Sequence, residues 1–143
     1  MTPADPALQT PLTRAFDLRL PVVAGGLMWL SEAGYVAAGA RAGVLSFITA
    51  ASFPEPDALR AEIRRCRDLA GDRVFGVNVS MLPKLVPGEK TADVFRLIAD
   101  EGIRVVETSG RNPEEYLPIL KDAGIKVIHK VPSLRFAEKA QSI

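Results

Sequence analysis

Short apolar runs alternate along the chain with longer stretches of mixed polarity, and this alternation predicts successive βα units. Leu20-Pro21-Val22-Val23-Ala24 reads as a first strand that ends in Gly25-Gly26. Ser31 is placed to cap a helix running to about Ala42, with Gly43 as its stop. A second strand is expected over 44–48, followed by a loop from Thr49 to Pro56. Pro56 suits a first helical turn, and that helix should reach about Ala70, with Gly71 ending it. A third strand over 74–79 runs into Ser80. The segment from Met81 to Lys90 holds Pro83 and Pro87-Gly88 and cannot be helical throughout. Thr91 caps a helix to Glu101, and a fourth strand covers 104–107. Asn112-Pro113-Glu114-Glu115 is the best helix start, with a capping Asn, a Pro at the first helical position and a Glu three residues after the cap. That helix ends at Gly124, a fifth strand covers 126–129, and Ser133 starts a helix still running at Ile143.

Two stretches of this pattern are near copies. Asp100-Glu101-Gly102-Ile103-Arg104-Val105-Val106-Glu107-Thr108 and Asp122-Ala123-Gly124-Ile125-Lys126-Val127-Ile128-His129-Lys130 share a glycine helix stop, a buried strand and a polar strand end. Parallel βα folds keep their chemistry at strand C-termini, so Glu107, Thr108, His129 and Lys130 are the positions to watch. The element order fits either a (β/α)₈ barrel or an open doubly wound sheet. Five strands are expected where a barrel has eight, and the chain stops inside a predicted helix. It is therefore either an open five-stranded domain or the first part of a longer barrel.

Composition narrows the class. The 143 residues suffice for one domain with a core, and 48% hydrophobic content is that of a globular protein. A formal net charge of +1 gives no long-range reason to bind nucleic acid or a membrane surface. Cys66 is the lone cysteine, which fits a reducing compartment. Residues 1–10 lack the apolar core of a signal peptide, and no apolar run approaches the ~20 residues of a membrane span. A cytoplasmic protein is the expectation.

Among candidate chemical groups, Gly25-Gly26 could let backbone approach a phosphate or a flat ring, or simply make a tight βα turn. It is not the dinucleotide fingerprint, because no third glycine follows at the required spacing. Asn78, near the end of an apolar strand, either bonds neighbouring loop backbone or reads a heteroaromatic edge with its paired donor and acceptor. His129 and Lys130 are adjacent, so at most one faces into a barrel. His129 reads as a structural histidine under a helix, and Lys130 as a solvated cation or an anion partner. Ser109-Gly110-Arg111 could form a backbone nest, although an ordinary capped loop is the simpler reading. Leu59, Ile63, Cys66 and Ala70 share one helix face, which makes Cys66 a buried structural thiol. Arg60, Arg64, Arg65 and Arg67, interleaved with Glu62 and Asp68, read as a solvated helix surface. One His and one Cys make neither an ordinary zinc site nor a nucleophilic triad.

Four segments taken together resemble the nitronate monooxygenase family, formerly called 2-nitropropane dioxygenases. They are Pro21-Val22-Val23-Ala24-Gly25-Gly26-Leu27-Met28-Trp29, Phe75-Gly76-Val77-Asn78, Thr108-Ser109-Gly110-Arg111-Asn112-Pro113 and Gly124-Ile125-Lys126-Val127-Ile128-His129-Lys130-Val131. The resemblance is collinear and spans nearly the whole chain after Thr10. It implies a (β/α)₈ TIM barrel that binds FMN and oxidises alkyl nitronates with dioxygen to a carbonyl compound and nitrite. It implies that backbone at Gly25, Gly26 and Leu27 lies against the flavin ring, that Asn78 bonds the ring's polar edge, and that Lys130 faces inward to contact FMN while His129 faces outward. The family often has Met where this chain has Leu27. Its catalytic histidine and main phosphate-binding loops correspond to positions beyond Ile143, so no catalytic residue is expected here and His129 is not the counterpart. The chain is thus expected to be the N-terminal part of one FMN-binding barrel domain, with a nitronate or nitroalkane and dioxygen as small-molecule partners. The alternatives are an FMN-dependent enoyl-thioester reductase, which resembles this family closely, and a non-catalytic partial barrel.

Overall fold

The computed structural model describes residues 6–81 and 90–143. Five strands form one parallel sheet: β1 (Val23–Ala24), β2 (Leu45–Thr49), β3 (Gly76–Met81), β4 (Val105–Gly110) and β5 (Lys126–Lys130), side by side in chain order. Between them run α2 (Ala33–Ala42), α3 (Pro56–Ala70), α4 (Thr91–Asp100) and α5 (Leu117–Asp122), with α6 (Leu134–Gln141) after β5. The large core cluster joins Val36, Ile63, Ile98 and Leu120 from these helices to Ile48, Val77 and Val106 on one sheet face. A doubly wound sheet would reverse its strand order and carry helices on both faces. Sequential order with the connecting helices on one face is the winding of a barrel, and the sheet is a curled half-barrel of TIM type.

The opposite, inner face is layered. At the N-terminal ends of the strands Leu45, Phe47 and Val105 pack with Leu18, and Leu12, Phe16 and Ile128 close around them. Leu12 and Phe16 belong to α1 (Pro11–Phe16), a helix the strand-centred reading of the sequence missed. Its signal was present: the Thr10 hydroxyl accepts from Thr13 N–H while the Thr13 hydroxyl accepts from Thr10 N–H, and Pro11 follows the cap.

Several boundaries shift for identifiable reasons. Ser31 does not cap α2, because its hydroxyl accepts from Leu27 N–H at 2.9 Å. Glu62 of α3 supplies the cap across the helix pair, its Oε1 accepting from Ala33 N–H at 2.5 Å. Thr91 is the first residue of α4, with Lys90 at the cap position. Asn112 does accept from Glu114 N–H at 3.0 Å, but the turn it starts is a 3₁₀ segment, Glu114–Tyr116, before α5. Glu115, three residues after Asn112, pairs with Arg111 at 2.9 Å. The last helix ends at Gln141, short of the expected run to Ile143. The expected loop beyond Met81 falls on 82–89, outside the described residues, and Met81 itself ends β3.

The arginines of α3 are not merely a solvated face. Arg60, Arg64 and Arg67 recur at one-turn spacing and converge on Glu101, just past the end of α4, at 2.6, 2.8 and 3.5 Å. Arg67 also donates to the Glu101 carbonyl. Hydrogen bonds from Arg64, and then Arg60, hold the Glu101 carboxyl down at about 2, although its burial works in the other direction. Cys66 lies fully buried on the apolar face, as expected, and burial pushes its thiol up to about 12.

The sequence repeat is real but out of phase across the ladder. Gly102 and Gly124 both adopt φ of 68°, the left-handed geometry of a helix stop. The repeat aligns Glu107 with His129, whereas the ladder pairs Glu107 with Ile128 and Thr108 with His129. Equivalent residues of the two copies therefore point to opposite faces of the sheet.

Candidate functional site

Above the apolar layer the inner face turns polar. The ladder sets Thr49 beside Asn78 and Asn78 beside Glu107, and one step higher Ser80 beside Ser109 and Ser109 beside Lys130. These side chains crowd the C-terminal mouth of the half-barrel. The loop after β1 crosses the same mouth.

Glu107 is the hub. It is 1% exposed, and its two oxygens take three donors from three elements. Oε2 accepts from Gly26 N–H and from Asn78 Nδ2, both at 2.9 Å. Oε1 pairs with Lys130 Nζ at 2.9 Å. A carboxylate buried this deeply requires such compensation, since an unpaired buried charge costs several kcal/mol. The Lys130 side chain is half-exposed, so its cation faces both Glu107 and the open mouth. The Asn78 carbonyl accepts a long 3.4 Å bond from Ser80 and keeps a second lone pair.

The glycines follow from this packing. A Cβ on Gly25 would stand 2.9 Å from Glu107 Oε1. On Gly26 it would stand 2.5 Å from Asn78 Cβ and 2.7 Å from Thr49 Oγ1. Side-chain-free backbone at both positions lets the loop lie directly on the polar layer. The loop beyond is pinned by its own donors, Leu27 N–H to Ser31 and Trp29 N–H to Ser52 at 2.9 Å, yet leaves Leu27, Met28, Trp29 and Leu30 exposed. Trp29 holds φ at 66°, uncommon for a bulky residue.

Thr49 Oγ1 is buried with no hydrogen-bond partner among the described residues. It lies against Gly26, in the polar layer. A buried hydroxyl without a partner is costly, and here the Gly26 backbone closes over it.

Of the residues singled out in the sequence, Gly25, Gly26, Asn78 and Lys130 come together, and Leu27 sits at their edge. His129 lies on the helix-facing side, where its Nδ1 meets Thr108 Oγ1 at 2.9 Å and burial pushes its pKa below 6.5. Gly110 is left-handed at φ 86°, and Arg111 N–H donates to the Met81 carbonyl at 3.0 Å while its side chain reaches Glu115. That is a capped loop. The sequence pattern shows Glu107 only as a polar strand end; its central place depends on a strand register that sequence does not display. No helix among the described residues is long and apolar enough to cross a membrane.

The chain has clear relatives. It is 31% identical over 132 residues to a Mycobacterium tuberculosis enzyme, (3aS,4S,5R,7aS)-5-hydroxy-7a-methyl-1-oxo-octahydro-1H-indene-4-carboxyl-CoA dehydrogenase, covering 92% of this chain and 35% of that protein. It superposes on FabK from Thermotoga maritima with a TM-score of 0.79 at 31% identity, over 92% of this chain and 41% of that one. A nitroalkane oxidase from Streptomyces ansochromogenes shares the fold, with a TM-score of 0.66 at 21% identity over 93% and 46% of the respective chains. The chain thus spans about a third of the curated relative and under half of these solved structures. The sequence model for nitronate monooxygenase matches residues 9–142, nearly the whole chain. With that match, on a half-barrel whose polar groups converge at the strand C-termini, the chain belongs to the nitronate monooxygenase family.

Proposed function

We propose that this chain forms the N-terminal part of a single FMN-binding barrel domain, and that the whole protein is an oxidoreductase that oxidises alkyl nitronates with dioxygen to a carbonyl compound and nitrite. The observation that carries this reading is the convergence at one mouth of a close-lying glycine loop, the Asn78 amide and a half-exposed cation. These groups fit a flat, polar-edged, anionic cofactor. Backbone at Gly25, Gly26 and Leu27 would lie against its ring. The N–H groups of Gly26 and Leu27 are already engaged, so their contribution is a close flat surface rather than donors. Asn78 would orient the ring's edge and Lys130 would offset its negative charge. When bound, FMN supplies the electron-accepting chemistry, and the protein's part is to bind it and hold it in place.

A second reading is favoured by one observation. The Mycobacterium tuberculosis relative is named for a CoA thioester. An FMN-dependent enoyl-thioester reductase would use the same ring site with a different substrate. The whole protein should purify yellow, carry FMN by mass spectrometry and release nitrite from a nitronate. NAD(P)H consumption with an enoyl thioester and no nitrite would replace the first reading by the second. A colourless protein without flavin would sink both and leave a non-catalytic partial barrel.

A further inference from the structure

We propose that Glu107 is a positioning residue, which builds the ring-binding surface before any cofactor arrives and fixes which hydrogen bond Asn78 can offer; the ligand half of this inference rests on the FMN reading above. Three observations support it. First, Glu107 ties the β1 loop, β3 and β5 together at the mouth, through Gly26, Asn78 and Lys130. Second, its carboxylate determines the Asn78 amide orientation. Oε2 accepts only, so the Asn78 amide must turn its nitrogen toward Glu107; the flipped amide would set oxygen against oxygen. The Asn78 carbonyl, bonded only weakly to Ser80, is left as the acceptor for a ligand N–H. Third, the loop is moulded onto this carboxylate, because a Cβ at Gly25 would come within 2.9 Å of it.

The two oxygens have separable duties. In Glu107→Gln, the amide oxygen can stay at the Oε2 position and keep Gly26 and Asn78, while the new NH₂ faces Lys130 and releases it. Glu107→Ala removes everything at once. The proposal therefore predicts that the glutamine variant rescues what the alanine variant loses.

The test compares wild type with both variants as the full chain, in two independent measurements. Without FMN, NMR hydrogen exchange reads the Gly26 amide. It should stay within about threefold of wild type in Glu107→Gln and speed up about tenfold or more in Glu107→Ala, as expected for loss of a charge-assisted bond. Fluorescence titration then reads FMN affinity, which should fall about tenfold or more in Glu107→Ala and hold, or tighten, in Glu107→Gln, where Lys130 is freed for an anionic ligand. Unchanged Gly26 exchange in Glu107→Ala overturns the positioning role, whatever FMN does. Equal loss of exchange protection in both variants also overturns it, because the carboxylate's shape would then not be what matters. If the exchange pattern appears but wild type binds no FMN, the positioning role stands and the cofactor reading fails.

Discussion

Replacing Glu101 with glutamine should loosen the α3–α4 pair by an amount the structure bounds. The carboxyl is held from an ordinary 4.5 down to about 2 by the arginines over it, a difference linked to at most about 3–4 kcal/mol. The Glu101 side chain is only 5% exposed, but Arg60, Arg64 and Arg67 are 32%, 59% and 44% exposed. Water around the arginines screens the attraction, and holding three long side chains costs entropy, so about 1–2 kcal/mol should remain at neutral pH. The sign is that of a carboxylate whose folded pKa lies below its unfolded value. Its contribution is complete above 4.5 and is lost as pH falls toward 2. Urea unfolding of wild type and Glu101→Gln across this range should show a gap of about 1–2 kcal/mol near neutrality that closes in acid. A neutral-pH gap below about 0.3 kcal/mol would refute the clamp. A gap that persists unchanged in acid would show that Glu101 acts by packing rather than charge.

Gly26→Ala forces a methyl group to within 2.5 Å of Asn78 Cβ, so thermal melts should show a loss of about 1–3 kcal/mol, and an unaltered melting temperature would mean the loop does not lie on β3 as described. Glu62→Ala leaves the N-terminus of α2 without its cap from α3, which should cost about 1–2 kcal/mol by urea unfolding; Glu62→Asp, one methylene too short for the 2.5 Å contact, should recover little of it.

What could be read from the sequence was mostly local. Glycine stops at Gly43, Gly71 and Gly124 and the proline start at Pro56 are properties of neighbouring residues, and α3 runs from Pro56 to Ala70 as the pattern predicts. The Cys66 face follows from helical periodicity alone. What escaped was contact between distant segments. Ser31 and Thr91 looked like caps because their side chains suit the task, but Ser31 was recruited by Leu27 and the α2 cap came from Glu62. The Glu101 clamp left a readable trace, since Arg60, Arg64 and Arg67 lie at one-turn spacing, but nothing local named the acid that joins them. Glu107 was visible as a polar strand end and invisible as a hub, because its partners depend on how three strands align.

The out-of-phase repeat bears on ancestry and engineering alike. Two segments that read almost identically are not interchangeable parts. If 100–108 were grafted over 122–130, the acid of the donor copy would fall at His129's place beneath the helices, and a threonine would replace Lys130 beside Glu107. The graft would conserve the written motif and erase the ion pair at the mouth. Extending the half-barrel by copying this repeat would require one residue added or removed per copy, or the chemistry would turn outward.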